Sequence, residues 1–177
     1  MSTAQHRAEA PNVVRVAVVT VSDTRNKETD QSGRIIIDLL EAAEHVNFEV
    51  RMYEIVPDDA DQIVNVIRYV AKHPNSFDAV LINGGTGIAG RDHTFEAIDS
   101  LLEKRMPGFG EIFRMLSFTE DVGPAAILSR ATAGIYRRMA VFSMPGSTGA
   151  VTLAMKRLIL PELAHVVREV RKDRVTM

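Results

Sequence analysis

Nine consecutive residues, Val13 to Val21 (VVRVAVVTV), are apolar or β-branched with a single interruption at Arg15. A strand with one wet face would alternate polar and apolar positions. This run predicts a strand covered on both faces, at the centre of a parallel sheet with helices above and below it.

The rest of the chain reads as units that fit such a sheet. After Ser22-Asp23-Thr24-Arg25, a polar loop leads to Asp30 or Ser32, either of which can cap a helix carrying Ile35, Ile36, Leu39, Leu40 and Ala43. Glu49 to Val56 opens as an alternation, Glu49 and Arg51 against Val50 and Met52, which suits a strand nearer a sheet edge. Asp58 and Asp59 precede a helix whose Ile63, Val66, Ile67 and Val70 form one apolar stripe. Ala79 to Asn83 is a short buried strand, and a helix begins near Thr94 with Ile98, Leu101 and Leu102 on its apolar face. From Met106 to Thr132 strand signals vanish. A helix runs from Pro107 through Phe118, Gly123-Pro124 breaks it, and Ala125 to Leu128 can form one more short helix. β-formers return at Gly134 to Met144, with Arg137-Arg138 as a turn or edge between a short strand and the strand Met139 to Met144, and Ala150 to Met177 reads as helix, kinked or restarted at Pro161. The expected architecture is α/β, three layers (α/β/α) around a mostly parallel central sheet. Residues 1–12 read as a flexible N-terminal arm and residues 13–177 as a single domain.

Composition excludes several chemistries. No cysteine is present, so disulfides, thiolate metal sites and a cysteine nucleophile are out. The net charge of -2, with both signs interspersed, offers no basic field for nucleic acid. No apolar run approaches the roughly 20 residues that span a bilayer, and the polar opening lacks an apolar signal core. The expectation is a cytoplasmic protein without nucleic-acid or membrane partners.

The chemistry concentrates where a strand meets a helix, in Asn83-Gly84-Gly85-Thr86-Gly87-Ile88-Ala89-Gly90-Arg91-Asp92-His93-Thr94. Four glycines in the seven residues from Gly84 to Gly90 let the backbone take positive φ and bring bare N–H groups close to a partner. Thr86 adds a hydroxyl, and the following helix start favours negative charge. The expected ligand is a phosphate. Asp92 sets a carboxylate beside this anion site, an arrangement that makes sense when a metal ion or a transferring group bridges the two. Pro145-Gly146-Ser147-Thr148-Gly149 is a second strand-to-helix turn of the same kind. In a parallel sheet, Ser22-Asp23, Asp58, the Gly84 to Asp92 turn and the Pro145 to Ser147 turn all fall on one rim.

Each feature also has a plainer reading. Gly85 to Gly90 matches G-x-G-x-x-G, yet Arg91-Asp92 follows where a dinucleotide fold needs its helix, and Glu111, at the spacing of the ribose acid, sits in a helical region. No G-x-x-x-x-G-K-[ST] is present. Gly146-Ser147-Thr148-Gly149 is not a nucleophile elbow, and the five histidines are scattered. His93 reads first as a polar residue on a helix's first turn. Asp23, Asp58 and Asp92 are residues that also cap helices and close turns, Glu111 can favour a helix N-terminus, and Arg130 can be a surface charge or the guanidinium of an anion site.

Taken together, the chain resembles the molybdenum-cofactor biosynthesis family of MoaB and MogA proteins from Val14 to about Leu163. The segments that carry the resemblance are Thr20-Val21-Ser22-Asp23-Thr24-Arg25 with Asp30-Gln31-Ser32-Gly33, and Gly84-Gly85-Thr86-Gly87 with Arg91-Asp92-His93-Thr94 and Glu96. Gly108-Phe109-Gly110-Glu111 with Phe113-Arg114-Met115-Leu116-Ser117, Ser129-Arg130-Ala131, and Met144-Pro145-Gly146-Ser147 complete them. The Phe113 to Ser117 and Met144 to Ser147 runs are more similar to the MoaB branch.

The resemblance implies a molybdopterin-binding fold, assembled as a homo-trimer or, for the MoaB branch, a homo-hexamer. It implies transfer of the adenylyl group of Mg-ATP onto the terminal phosphate of molybdopterin, whose product a downstream protein loads with molybdate. It points to Asp58 and Asp92 as the catalytic carboxylates, and the expected mechanism has Asp92, alone or with Asp58, position Mg²⁺ against the ATP phosphates. Ser22, Asp23, Gly84, Gly85, Thr86, Gly87, Glu111, Ser117, Ser129, Arg130, Pro145, Gly146 and Ser147 are the expected substrate-binding set. The alternative is a molybdopterin-binding or assembly protein without catalysis.

Overall fold

The computed structural model describes residues 11–172. The first ten residues of the expected arm, and the last five of the expected C-terminal helix, lie outside the described residues. Asn12 is already tied in, its carbonyl accepting from Asn47 N–H at 3.1 Å.

Six strands form one sheet: β1 (Val13–Val21), β2 (Asn47–Val56), β3 (Ala79–Asn83), β4 (Lys104–Arg105), β5 (Thr132–Tyr136) and β6 (Met139–Met144). Their spatial order is β2-β1-β3-β6-β5-β4, with β2, β1, β3 and β6 parallel and β5 running antiparallel between β6 and β4. The helices are α1 (Gln31–Glu41), α2 (Ala60–Ala71), α3 (Thr94–Asp99), α4 (Pro107–Glu120), α5 (Thr148–Ala154) and α6 (Leu160–Arg171), with a 3₁₀ turn at Gly123–Leu128.

The run at Val13–Val21 behaves as its composition demands. Val14, Val16 and Val18 enter one core with Ile36 and Leu40 of α1, Phe113 of α4, Val151 of α5 and Leu163 of α6. Ala17, Val19 and Val21 enter the other with Ile63, Ile67 and Val70 of α2 and Ile98 of α3. The period-2 geometry of one strand thus feeds two apolar layers, and the chain is a three-layer α/β/α sandwich.

Arg15, the interruption, lies where β1 begins. Its N–H donates to Asp78 Oδ2 at 3.0 Å and its guanidinium stands 3.7 Å from the same oxygen, while Arg171 of α6 reaches Asp78 Oδ1 from the other direction at 2.5 Å. The Asp78 side chain is only 1% exposed, so it is a buried carboxylate with two cationic partners.

Two details were not legible from periodicity. β4 is a two-residue edge strand, too short to leave a pattern, recruited by pairing with Gly134 and Ile135. The segment after Ser147 is one helical run with a π turn at Met155–Ile159 between α5 and α6. Pro161 falls in the first turn of α6, where a widened backbone ladder tolerates a residue that has no N–H to donate. At Arg137 and Arg138 the backbone takes φ of 46° and 64°, the twist a tight β5–β6 hairpin requires.

Strand order fixes where a ligand can go. From β1 the chain crosses by α1 to β2 on one side, and from β3 it proceeds by α3 toward the other, so the loops after β1 and β3 diverge to opposite faces. A crevice opens beyond their C-terminal ends.

Candidate active site

A cleft of about 620 Å³ lies at that crevice. Its walls are the loop after β1 (Ser22, Thr24, Arg25), the glycine turn after β3 (Gly84 to Gly87) and the Pro145-Gly146-Ser147 turn after β6. Opposite them stand Phe113 and Ser117 of α4 and the 3₁₀ segment with Val122, Leu128 and Ser129. One wall is therefore backbone and hydroxyls and the other apolar, the division a flat heterocycle bearing a phosphate needs.

Local sequence explains how the turns close. Gly84 and Gly85 take φ of 99° and 62°. A side chain at Gly84 would strike the Val21 carbonyl, so this glycine lets β3 end directly against β1. Gly146 in turn packs on Gly84, a Cβ there lying 3.0 Å from the Gly84 Cα. Ser22 Oγ accepts from the N–H groups of Thr24 and Arg25 at 3.3 and 3.2 Å, folding the β1 loop over the rim. Ser147 Oγ caps α5 by accepting from Ala150 N–H at 3.2 Å.

The two expected catalytic carboxylates meet at the glycine turn and do not line the cleft itself. Asp58 Oδ1 accepts from His93 N–H at 3.0 Å and from Thr94 Oγ at 3.5 Å, and its own N–H donates to Asp23 Oδ1 at 3.0 Å. Asp92 Oδ2 accepts from Ala89 N–H at 2.8 Å. Burial raises the Asp58 carboxyl above its usual range, and the nearby Asp92 and Asp23 carboxylates push the same way, against the His93 N–H bond. Asp58 thus has the carboxylates of Asp92 and Asp23 for neighbours, a local negative charge that favours a cation.

Other expected residues divide. Ser22, Gly84, Gly85, Thr86, Gly87, Ser117, Ser129, Pro145, Gly146 and Ser147 all line the cleft. Asp23 does not, and acts on Asp58 through its backbone. Glu111 is exposed on α4 and away from the cleft, because Phe113 and Ser117 occupy the inward stripe of that helix. Arg130 is engaged with the glycine turn: it bonds the Gly87 carbonyl and the Glu96 carboxylate, reaches the carbonyls of Thr86 at 3.2 Å and Asp92 at 3.3 Å, and lies over the Phe95 ring. His93 is the N-cap position of α3 and makes no side-chain cap bond.

Sequence reasoning passed over Arg25 and the apolar wall. Arg25 donates through Nη1 to Asp30 Oδ1, Ser32 Oγ and the Gly146 carbonyl. Asp30, expected as a helix cap, does cap α1 through Gly33 N–H at 3.0 Å, but it also accepts from Thr20 Oγ at 2.5 Å and Tyr53 OH at 2.7 Å. Thr20 accepts in turn from Asn83 Nδ2 at 2.8 Å, joining the ends of β1 and β3 beneath the cleft. Burial pushes the Asp30 carboxyl up, and the bonds from Gly33, Thr20 and Tyr53 with the Arg25 charge outweigh it, so it titrates below its usual range. A ring of polar residues at the strand termini was the available signal for Arg25; its side chain had to be seen crossing to Gly146.

Fold and site together define an α/β protein with a mostly parallel sheet and a glycine-walled crevice bordered by a turn that carries paired carboxylates. The family profile described as a probable molybdopterin binding domain matches residues 17–165. Molybdenum cofactor biosynthesis protein B of Bacillus subtilis is 58% identical over 174 residues, covering 98% of this chain and all of that protein. The crystal structure of a molybdenum cofactor biosynthesis protein B superposes with a TM-score of 0.87 at 51% identity, covering 93% of this chain and 99% of the other. The tungsten cofactor synthesizing protein MoaB of Pyrococcus furiosus gives 0.80 at 38% identity, covering 92% and 100%. The chain belongs to the molybdopterin-binding family of molybdenum cofactor biosynthesis proteins, on its MoaB side. Among the described residues no helix is long and apolar enough to cross a membrane.

Proposed function

We propose that this protein binds molybdopterin in the cleft and adenylylates its terminal phosphate with Mg-ATP. An oxygen of the molybdopterin phosphate attacks the α-phosphorus of ATP; a phosphoanhydride bond forms there as the α–β bridge breaks and pyrophosphate leaves with the electron pair. The observation that carries this reading is the meeting of Asp58 and Asp92, 34 positions apart, at a glycine turn that borders the cleft.

The donor set fits the metal. Among the described residues no three His, Asp or Glu side chains gather into a metal cage. A pair of carboxylates suits Mg²⁺, which keeps waters and takes substrate phosphates as its remaining ligands. Asp58 and Asp92 would hold it, and when bound it offsets charge on the reacting phosphates.

The chain's own groups do the rest. The N–H groups of Gly85 to Gly87 and of the Gly146-Ser147 turn orient phosphates, while the Gly84 N–H is spent on the Met144 carbonyl at 3.1 Å. Phe113, Val122 and Leu128 cover the pterin, and Ser117 and Ser129 supply hydroxyls to its polar edge. No protein nucleophile is required, because both reactants carry phosphate and catalysis is positioning and charge stabilisation. Exposed apolar side chains at Ile112, Met115, Phe118 and Ile127, outside the cleft, support self-association through α4 and the 3₁₀ segment, as a homo-trimer or homo-hexamer. A molybdate-inserting protein would receive the adenylylated product.

The test is pyrophosphate release from Mg-ATP and molybdopterin by the wild-type protein, Asp58→Asn and Asp92→Asn. Release that collapses in both variants is expected. Pterin binding without release by the wild type would replace this reading with the non-catalytic carrier.

A further inference from the structure

The cleft is built for an anion, yet its charges are few. Of the residues that line it, Arg25 is the single cationic side chain and Asp121 the single anionic one. Arg130, the other guanidinium near the glycine turn, is committed to the carbonyls of that turn and to Glu96. Full charge for recognising an anionic ligand is therefore available from one residue.

Arg25 is held as a recognition group is held. Among the described residues its side-chain hydrogen bonds all leave from Nη1, to Asp30 Oδ1 at 3.4 Å, Ser32 Oγ at 3.1 Å and the Gly146 carbonyl at 3.3 Å. Nη2 and Nε make no bond to the protein among the described residues, and the side chain remains 36% exposed. The anchors are themselves fixed. Asp30 and Ser32 are fully buried, and Ser32 Oγ donates to the same Gly146 carbonyl at 2.8 Å. One nitrogen ties the guanidinium to the α1 cap and the β6 turn, so two donors stand free at the cleft with little rotamer entropy left to lose.

We infer that Arg25 is the phosphate-recognising side chain of the cleft, taking the phosphate monoester end of the pterin through its Nη2 and Nε donors, and that the Asp30–Ser32–Gly146 cluster is its positioning frame. The choice of a pterin phosphate as ligand rests on the proposed function; the assignment of anion recognition to Arg25 rests on geometry alone. Two parallel donors on a planar fork match two phosphate oxygens, whereas the N–H groups of the glycine turns offer only dipoles. The inference makes the protein discriminate a phosphorylated pterin from the same pterin without its phosphate, and makes Arg25 the seat of that discrimination.

The experiment is a fluorescence titration of the full chain with a pterin bearing a side-chain phosphate monoester and with the same pterin after phosphatase treatment, without ATP or metal. Wild type is expected to prefer the phosphorylated form by about 10-fold or more, the scale of one charge-assisted contact. Arg25→Ala should bring its affinity down to that of the dephosphorylated form while leaving the latter unchanged. Arg25→Lys, which keeps the charge and loses the fork, should restore part of the preference. Inorganic phosphate should compete with the phosphorylated pterin on wild type and fail on Arg25→Ala. Equal weakening of both pterins in Arg25→Ala, with no rescue by lysine, would assign Arg25 a purely structural role and overturn the inference; so would an intact preference. Because no step of the titration involves adenylyl transfer, a protein that releases no pyrophosphate but keeps an Arg25-dependent preference would sink the catalytic reading and leave this one standing.

Discussion

The carboxylate of Asp58 occupies the space that a side chain at Gly85 would need: a Cβ built there lies 2.5 Å from Asp58 Oδ2. Gly87 and Asp92 are related in the same way, with 2.5 Å between the Cβ position and Asp92 Oδ2. Gly85 and Gly87 thus line the cleft and also leave the room at their Cα atoms that the two acids fill. That packing brings a helix-leading aspartate from after β2 against a loop after β3.

Gly85→Ala should therefore damage site and fold together. Its φ of 62° strains any other residue, and the new methyl must displace Asp58 or Thr94. The expected cost is about 1 to 3 kcal/mol in urea unfolding, with pyrophosphate release lost even at temperatures where the variant is folded. Unimpaired release would mean that the placement of Asp58 against the turn is immaterial.

Asp58→Asn should separate stability from activity. The Asp58 carboxyl is raised by burial and by the Asp92 and Asp23 charges, so its ionised form is a net burden on the folded state near neutral pH. Asparagine keeps an oxygen for His93 N–H and removes the repulsion. The melting temperature should stay level or rise by about 1 to 3 °C while turnover is lost. A marked drop in melting temperature would show that the charge is structural.

Arg130→Ala tests whether that guanidinium acts through the turn. With its bonds to the Thr86, Gly87 and Asp92 carbonyls gone, amide hydrogen exchange across Gly84 to Thr94 should quicken by about 10-fold. Global stability should fall by only about 1 kcal/mol, because the Glu96 partner is exposed. Unchanged exchange in the turn, with weaker phosphate binding, would return Arg130 to a direct ligand role.

Asp30 sets the acid limit of the β1–β3 junction. Its folded carboxyl titrates below the usual aspartate range, so its contribution is fully present above that range and is lost as the pH falls through the lower, folded value. Urea midpoints should fall through this acidic window in the wild type. Asp30→Asn, which leaves Thr20, Tyr53 and Gly33 facing an amide, should cost about 2 to 4 kcal/mol at pH 7. The gap to wild type should narrow under acid, and a constant gap down to pH 3 would remove Asp30 as its source.

The periodicity of Val13–Val21, the stripe at Ile63 to Val70 and the glycine clusters at Gly84 and Gly146 determined the fold class, the layer count and the rim where the site lies. Those signals are local: side-chain period and backbone freedom are written residue by residue. Tertiary structure decided what each charged group faces. Glu111 and Arg130 carry suitable chemistry in sequence, yet helix phase turns Glu111 to solvent and packing commits Arg130 to the turn's carbonyls. Arg25, unremarkable in its loop, is drawn into the cleft by a buried acid 5 residues on and a carbonyl 121 residues away. Direction in space depends on contacts between distant segments, and no single stretch of chain encodes it.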